Sequence, residues 1–196
     1  MIDYIKQIDT DLFLKLNSIH SPFFDFIMWW FSSKTIWIPL YLFFVYLLFK
    51  KYSKQAITIL IFAIICAALT DSLSVAIFKN TFQRLRPSHQ PELMNLIHIV
   101  NGYRGGQYGF VSSHAANIFG LAAFLWYFLK NHYKHFGKII FTWAFLVSYS
   151  RIYLGVHYPG DVVVGAIFGI LIAILTIILY KQFCLYAIRS KKNKPN

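Results

Sequence analysis

Four long apolar runs leave this chain few ways to fold. Ala56 to Phe78, His114 to Leu129, Ile139 to Gly155 and Val162 to Tyr180 are apolar enough to be read as helices crossing a bilayer. Such a span needs about 20 mostly apolar residues, with a range of roughly 17–25. A fifth run, Ile36 to Phe49, is short on that count; it gains a turn from Ser32 to Thr35, with Lys50 and Lys51 snorkelling at its other end. Only 13% of the residues are charged, against about 25% in soluble domains. No apolar–polar alternation is sustained, which argues against a barrel. The expectation is an all-α, polytopic membrane helix bundle of five spans, forming one domain.

The N-terminus carries no charged–apolar–small cleavage pattern, so no removable signal peptide is expected. Ile2 to Trp30 is interrupted by Asp3, Asp9, Asp11 and Asp25, while Phe23, Phe24, Phe26, Trp29 and Trp30 suit a membrane–water interface. Residues 1–34 are therefore read as an interfacial helical segment. Residues 35–181 form the bundle, with an outer loop over 80–113, and residues 182–196 form a basic tail. Cys66 and Cys184 are far apart in sequence and read as small apolar fillers.

The formal net charge is +12. Lys50, Lys51 and Lys54 fill the first connection, Lys130, Lys134 and Lys138 the third, and Lys181, Arg189, Lys191, Lys192 and Lys194 follow the last span. With five spans, all of these fall on one side, which the positive-inside rule makes cytoplasmic. The basic tail then touches anionic lipid. Nucleic acid is the weaker partner, because no reading motif accompanies the charge. The expected location is the inner membrane, with the C-terminus cytoplasmic.

That topology carries three polar runs to the opposite, outer face: Lys79-x6-Arg86-Pro87, Ser112-Ser113-His114, and Ser150-Arg151-x5-His157-x3-Asp161. Charged groups are costly near lipid and persist mainly where they face a cavity. Arginine forks match phosphate oxygens in pairs, and lysine supplies a point charge. Lys79, Arg86 and Arg151 thus suit an anion that changes charge during reaction. Ser112 is a good helix N-cap, and the amides of Ser112 and Ser113 open a helix start that attracts anions. His114 and His157 can act as base, acid or nucleophile. Asp161, four residues after His157, can fix its tautomer and leave the other ring nitrogen to attack phosphorus. His114 would then protonate the leaving oxygen.

Arg84 has no place in this pattern and is read as an interfacial cation. Asp71, two turns below Lys79, is read as a structural partner. His20, His89, His98, His132 and His135 receive no role. Gly165 and Gly169 form a small-residue packing face. Pro91 to Val100 is a candidate lid helix within the long outer loop.

In order and spacing the three runs resemble the type 2 phosphatidic acid phosphatase superfamily, over roughly Ala56 to Leu171. The resemblance implies a helical bundle and a phosphohistidine mechanism that needs no metal or other cofactor. It implies His157 as nucleophile, Asp161 as its orienting partner and His114 as general acid. Lys79, Arg86, Arg151, Ser112 and Ser113 become the phosphate cradle. The middle motif reads Val111-Ser112-Ser113-His114 where the family usually has proline-serine-glycine-histidine, and the family usually has six spans.

The expected reaction is hydrolysis of a lipid phosphate or diphosphate on the outer leaflet. The leading substrates are undecaprenyl diphosphate or a glycerophospholipid phosphate. A lipid A phosphatase of the same family is the alternative. A zinc hydrolase using His114, His157 and Asp161 is disfavoured by three neighbouring cations. A non-catalytic lipid-phosphate binding or transport protein is disfavoured by the intact histidine pair.

Overall fold

The computed structural model describes residues 2–192, of which the great majority are helical, with no strands among the described residues. The N-terminal segment forms two helices, α1 (Ile2–Asn17) and α2 (Pro22–Ser32). Ser21 caps α2 by accepting the Phe24 N–H at 3.3 Å, with Pro22 behind it at a position that needs no donor. Phe23, Phe24, Phe26 and Trp30 on α2 are exposed.

The bundle comprises α3 (Ile38–Tyr52), α4 (Gln55–Leu73), the single turn α5 (Asn80–Phe82), α6 (Ser113–Leu129), α7 (Phe136–Tyr153) and α8 (Pro159–Lys192). A widened π turn, Ser74–Lys79, joins α4 to α5, so this helix runs one turn beyond the sequence expectation. Three helical stretches are long and apolar enough to cross a membrane: Thr35–Tyr52, Gln55–Phe82 and Pro159–Ser190. The helix α6 is apolar but shorter. Helix α8 does not stop at Tyr180; it continues to Lys192, so the basic segment begins as helix, while Lys194 lies outside the described residues.

Helix α6 is the central element, packed on α8, α7 and α4. Its approach to α8 depends on glycine. A Cβ at Gly169 would overlap the Ala116 carbonyl, and one at Gly120 would sit 3.1 Å from the Gly169 carbonyl. Small residues let helix backbones meet in this way. Phe124, Leu129, Ile140, Ala144 and Val147 are fully buried in the main core.

The two ends of the bundle differ in chemistry. At one end Tyr52 donates to the Phe128 carbonyl at 2.6 Å, and Lys51 and Lys181 lie over the rings of Tyr133 and Tyr127. At the other end α1, α2, the loop over 80–113 and the α7–α8 turn come together. Asn17, buried at the end of α1, donates to the carbonyls of His98 (3.0 Å) and Tyr153 (2.8 Å) and accepts the His98 N–H at 2.7 Å. That clasp changes the reading of Pro91 to Val100. The segment forms only the short turn Pro91–Leu93, its Leu93 packs beside Phe13, and its end is held by Asn17. It is a tethered connection and contains no lid helix.

Candidate active site

The α7–α8 turn supplies the centre. His157 is 2% exposed and Asp161 is completely buried. Nδ1 of His157 lies 3.4 Å from Oδ2 of Asp161, and as an N–H it donates to that oxygen. The same oxygen accepts the Tyr158 N–H at 3.1 Å, because Pro159 and Gly160 turn the chain into α8 and aim the carboxylate back at the turn. Burial, then the charges of Arg86, Arg151 and Lys79, hold the His157 imidazole well below its ordinary pKa. His157 is therefore neutral at physiological pH, the form a nucleophile needs.

The loop over 80–113 positions Arg86. Leu85 and Tyr108 pair as an isolated bridge, with the Arg86 N–H donating to Gln107 O at 3.0 Å and the Gly109 N–H to Arg84 O at 2.8 Å. The Arg86 Nε donates to Tyr108 O at 3.2 Å, while its buried Nη1 finds no partner among the described residues. Gly105, at φ +67°, passes so close that a Cβ would strike that Nη1. Arg151, 5% exposed, donates to the Ser32 hydroxyl and to Tyr103 Oη (3.3 Å), and its Nε is likewise buried without a partner. Unpaired buried guanidinium N–H groups are expensive unless a ligand meets them. Burial alone would raise the Tyr103 hydroxyl pKa, yet the Arg151 hydrogen bond and the charges of Arg151, Arg86 and Lys34 hold it below normal. The site's field favours anions.

Helix α6 brings His114. Its Nε2 lies 3.2 Å from the Ser32 carbonyl, so His114 and Arg151 share Ser32 of α2 as a partner. His114 and Arg151 line a cavity of about 270 Å³ with Trp29, Ser32, Ser33, Lys34, Tyr103 and Leu154. A second cavity, about 310 Å³, leads from His114 past Lys34 and Trp37 to Tyr41, Ala67 and Leu121. A third, about 210 Å³, shares Tyr41, Ala67 and Leu121 and continues along α3, α4 and α6.

Ser112 and the hydroxyl of Ser113 are engaged within the protein. The Ser112 N–H donates to the Asp161 carbonyl at 3.0 Å and its hydroxyl caps the Ala115 N–H, so its amide is not free for phosphate. The Ser113 hydroxyl pairs with that of Ser74 at 2.7 Å, linking α6 to the π turn that carries Lys79. Ser113 begins α6 with no left-handed backbone, so nothing at this position requires glycine. Asp71 accepts from the Asn117 side chain at 3.3 Å, a helix-to-helix contact between α4 and α6.

Arg84, expected as an interfacial cation, instead bonds Asp161 directly at 3.0 Å. One signal was present: Arg84 and Arg86 are two apart in an extended segment, a spacing that repeats the same face. Ser32 and Tyr103 lie far from any motif and carried no signal.

A profile of the PAP2 superfamily matches residues 56–183, and the chain belongs to that superfamily. It is a membrane lipid phosphatase of this class. The chain is 44% identical to a lipid A 4'-phosphatase of Bacteroides thetaiotaomicron, covering 86% of this chain and 75% of the relative. It is 37% identical to a lipid A 4'-phosphatase of Porphyromonas gingivalis, covering 87% and 72%. The crystal structure of Aquifex aeolicus LpxE superposes with a TM-score of 0.62 at 26% identity, over 86% of this chain and 93% of that one.

Proposed function

We propose that the protein removes a phosphate from a lipid A-type glycolipid on the outer leaflet through a phosphohistidine at His157. The observation that carries this reading is the pair of buried guanidinium groups with unpartnered nitrogens, Arg86 Nη1 and Arg151 Nε, whose charges reach the buried, neutral His157. Two lipid A 4'-phosphatase relatives favour this substrate over undecaprenyl diphosphate or a glycerophospholipid phosphate. The connected apolar cavities from His114 along α3, α4 and α6 suit acyl chains entering from the membrane.

In the first half-reaction His157 Nε2 attacks phosphorus, the P–O bond to the sugar breaks, and His114 gives that oxygen its proton. Asp161 stabilises the developing positive charge on His157. In the second half, water attacks the phosphohistidine, His114 takes its proton, the P–N bond breaks and inorganic phosphate leaves. Lys79, Arg86 and Arg151 hold the phosphoryl oxygens, with the Ser113 amide at the start of α6 beside them. Clustered cations oppose a resident divalent metal. With α3, α4, α6, α7 and α8 taken as spans, the positive-inside rule assigns the lysine-rich connections to the cytoplasm and the site to the opposite face.

Phosphate release is measured with purified protein on lipid A bisphosphate, undecaprenyl diphosphate, phosphatidylglycerophosphate and phosphatidic acid, with and without a strong chelator. The expected result is fastest turnover of lipid A, unaffected by chelation and abolished in folded His157→Ala. Activity surviving that substitution refutes the assignment of nucleophile; preference for another lipid refutes the substrate.

A further inference from the structure

Arg84 is clamped between two carboxylates, Asp9 of α1 and Asp161 of α8, that are far apart in sequence. Its Nη1 donates to Asp161 Oδ1 at 3.0 Å and its Nη2 to Asp9 Oδ2 at 2.8 Å. Its guanidinium also lies over the Tyr158 ring, 3.9 Å from the centroid. The other Asp9 oxygen accepts the Gly160 N–H at 2.7 Å. Helix α1, the outer loop and the first turn of α8 are therefore joined by one polar network. It is packed without slack, since a Cβ at Gly109 would lie 3.0 Å from Asp161 Oδ2.

Asp161 is completely buried, and among the described residues Arg84 is the cation from a flanking element that bonds it. Removing such a partner leaves an uncompensated buried charge, which is strongly unfavourable. A guanidinium fork can bond both carboxylates at fixed geometry, whereas an ammonium on a flexible stem cannot hold the same angle.

We propose that Arg84 is a positioning residue for phosphoryl transfer: it grips Asp161 by Oδ1, so that Oδ2 faces His157 Nδ1 and Nε2 is left with the attacking lone pair. Asp9 on α1 sets Arg84 in turn. The proposal rests on the reading of His157 as nucleophile. Because Asp9 and Asp161 occupy the ends of the fork, Arg84 acts on the imidazole and not on the phosphate. Its loss falls on the chemical step and leaves substrate binding alone.

The test uses the full chain in detergent with Arg84→Gln, Arg84→Lys and Asp161→Asn, and the Arg84→Gln/Asp161→Asn double variant. A misplacement on the order of 1 Å at a reacting group costs about 100-fold. Arg84→Gln is expected to lower kcat by that order with KM unchanged, and Arg84→Lys to recover part of it. The double variant is expected to be no slower than Asp161→Asn alone, because both changes break the same chain. Multiplying losses, or a raised KM with kcat kept, overturns the proposal and makes Arg84 a phosphate contact. A second measurement needs no turnover. In 15N-histidine spectra, assigned with His157→Gln, wild-type His157 is expected in the Nδ1–H tautomer and Arg84→Gln in a mixture. An unchanged tautomer overturns the proposal. A wild-type chain that releases phosphate from no lipid refutes the proposed function, and the imidazole spectra still decide the role of Arg84.

Discussion

Replacing Gly165 by alanine tests whether the two histidines act as one unit held in register by backbone packing. Gly165 lies one turn beyond Asp161 on α8, facing the N-cap of α6. A Cβ there would sit 2.6 Å from the Ser112 carbonyl oxygen and 3.4 Å from the Ser112 C and N atoms. Relaxed carbon–oxygen contacts run at about 3.3–3.6 Å, so α6 and α8 must part by roughly 0.7–1.0 Å at this level. The contact is with backbone, so no side chain can swing away to relieve it. Overpacking of this kind destabilises by about 1–3 kcal/mol. The same movement stretches the 3.0 Å bond from the Ser112 N–H to the Asp161 carbonyl and carries His114 away from His157. A displacement of about 1 Å at the reacting groups predicts a loss of about 100-fold in kcat. Steady-state phosphate release and thermal melting in detergent measure the two effects separately. Gly106→Ala is the control, since a Cβ there meets nothing within 4 Å. Wild-type turnover in Gly165→Ala, with only the melting temperature lowered, would refute the coupling of packing to chemistry.

Two further perturbations address substrate and pH. Lys34 lines both cavities beside His114 and makes no ion pair among the described residues. Lys34→Ala is expected to weaken a lipid bearing two phosphates by up to about fivefold in KM, the scale of one exposed ion contact, and to spare a lipid bearing one. Equal loss on both lipids excludes a second-anion role. His157 is kept neutral in the folded state, whereas an unfolded histidine takes up a proton near pH ~6.5. Its contribution to stability is therefore present above that pH and lost as pH falls below it. Wild-type protein should lose more stability between neutral and mildly acidic pH than His157→Gln, read as melting temperature against pH. Parallel curves for the two proteins refute the shift.

Helices and their approximate limits were legible because apolar runs of bilayer length have few alternatives. The motif residues were legible for a related reason: His157, Asp161, Arg151 and Lys79 are polar groups that an apolar setting does not tolerate idly. What escaped was contact between distant segments. Arg84 looked like a surface cation because nothing local reveals that Asp9, 75 residues earlier, folds back onto it. The Ser112 amide looked free because its partner, the Asp161 carbonyl, belongs to another helix. The π turn at Ser74–Lys79 left no trace in the hydropathy, since widening a helix by one residue does not change which residues are apolar.

The clasp made by Asn17 and Asp9 also bears on biogenesis. Asn17 and Asp9 precede their partners Tyr153 and Gly160 by 136 and 151 residues. The candidate active site is thus completed only once α8 has begun to form. Until α8 forms, Asp9 lacks its Gly160 partner and Arg84 lacks Asp161, so that corner of the fold stays open to water.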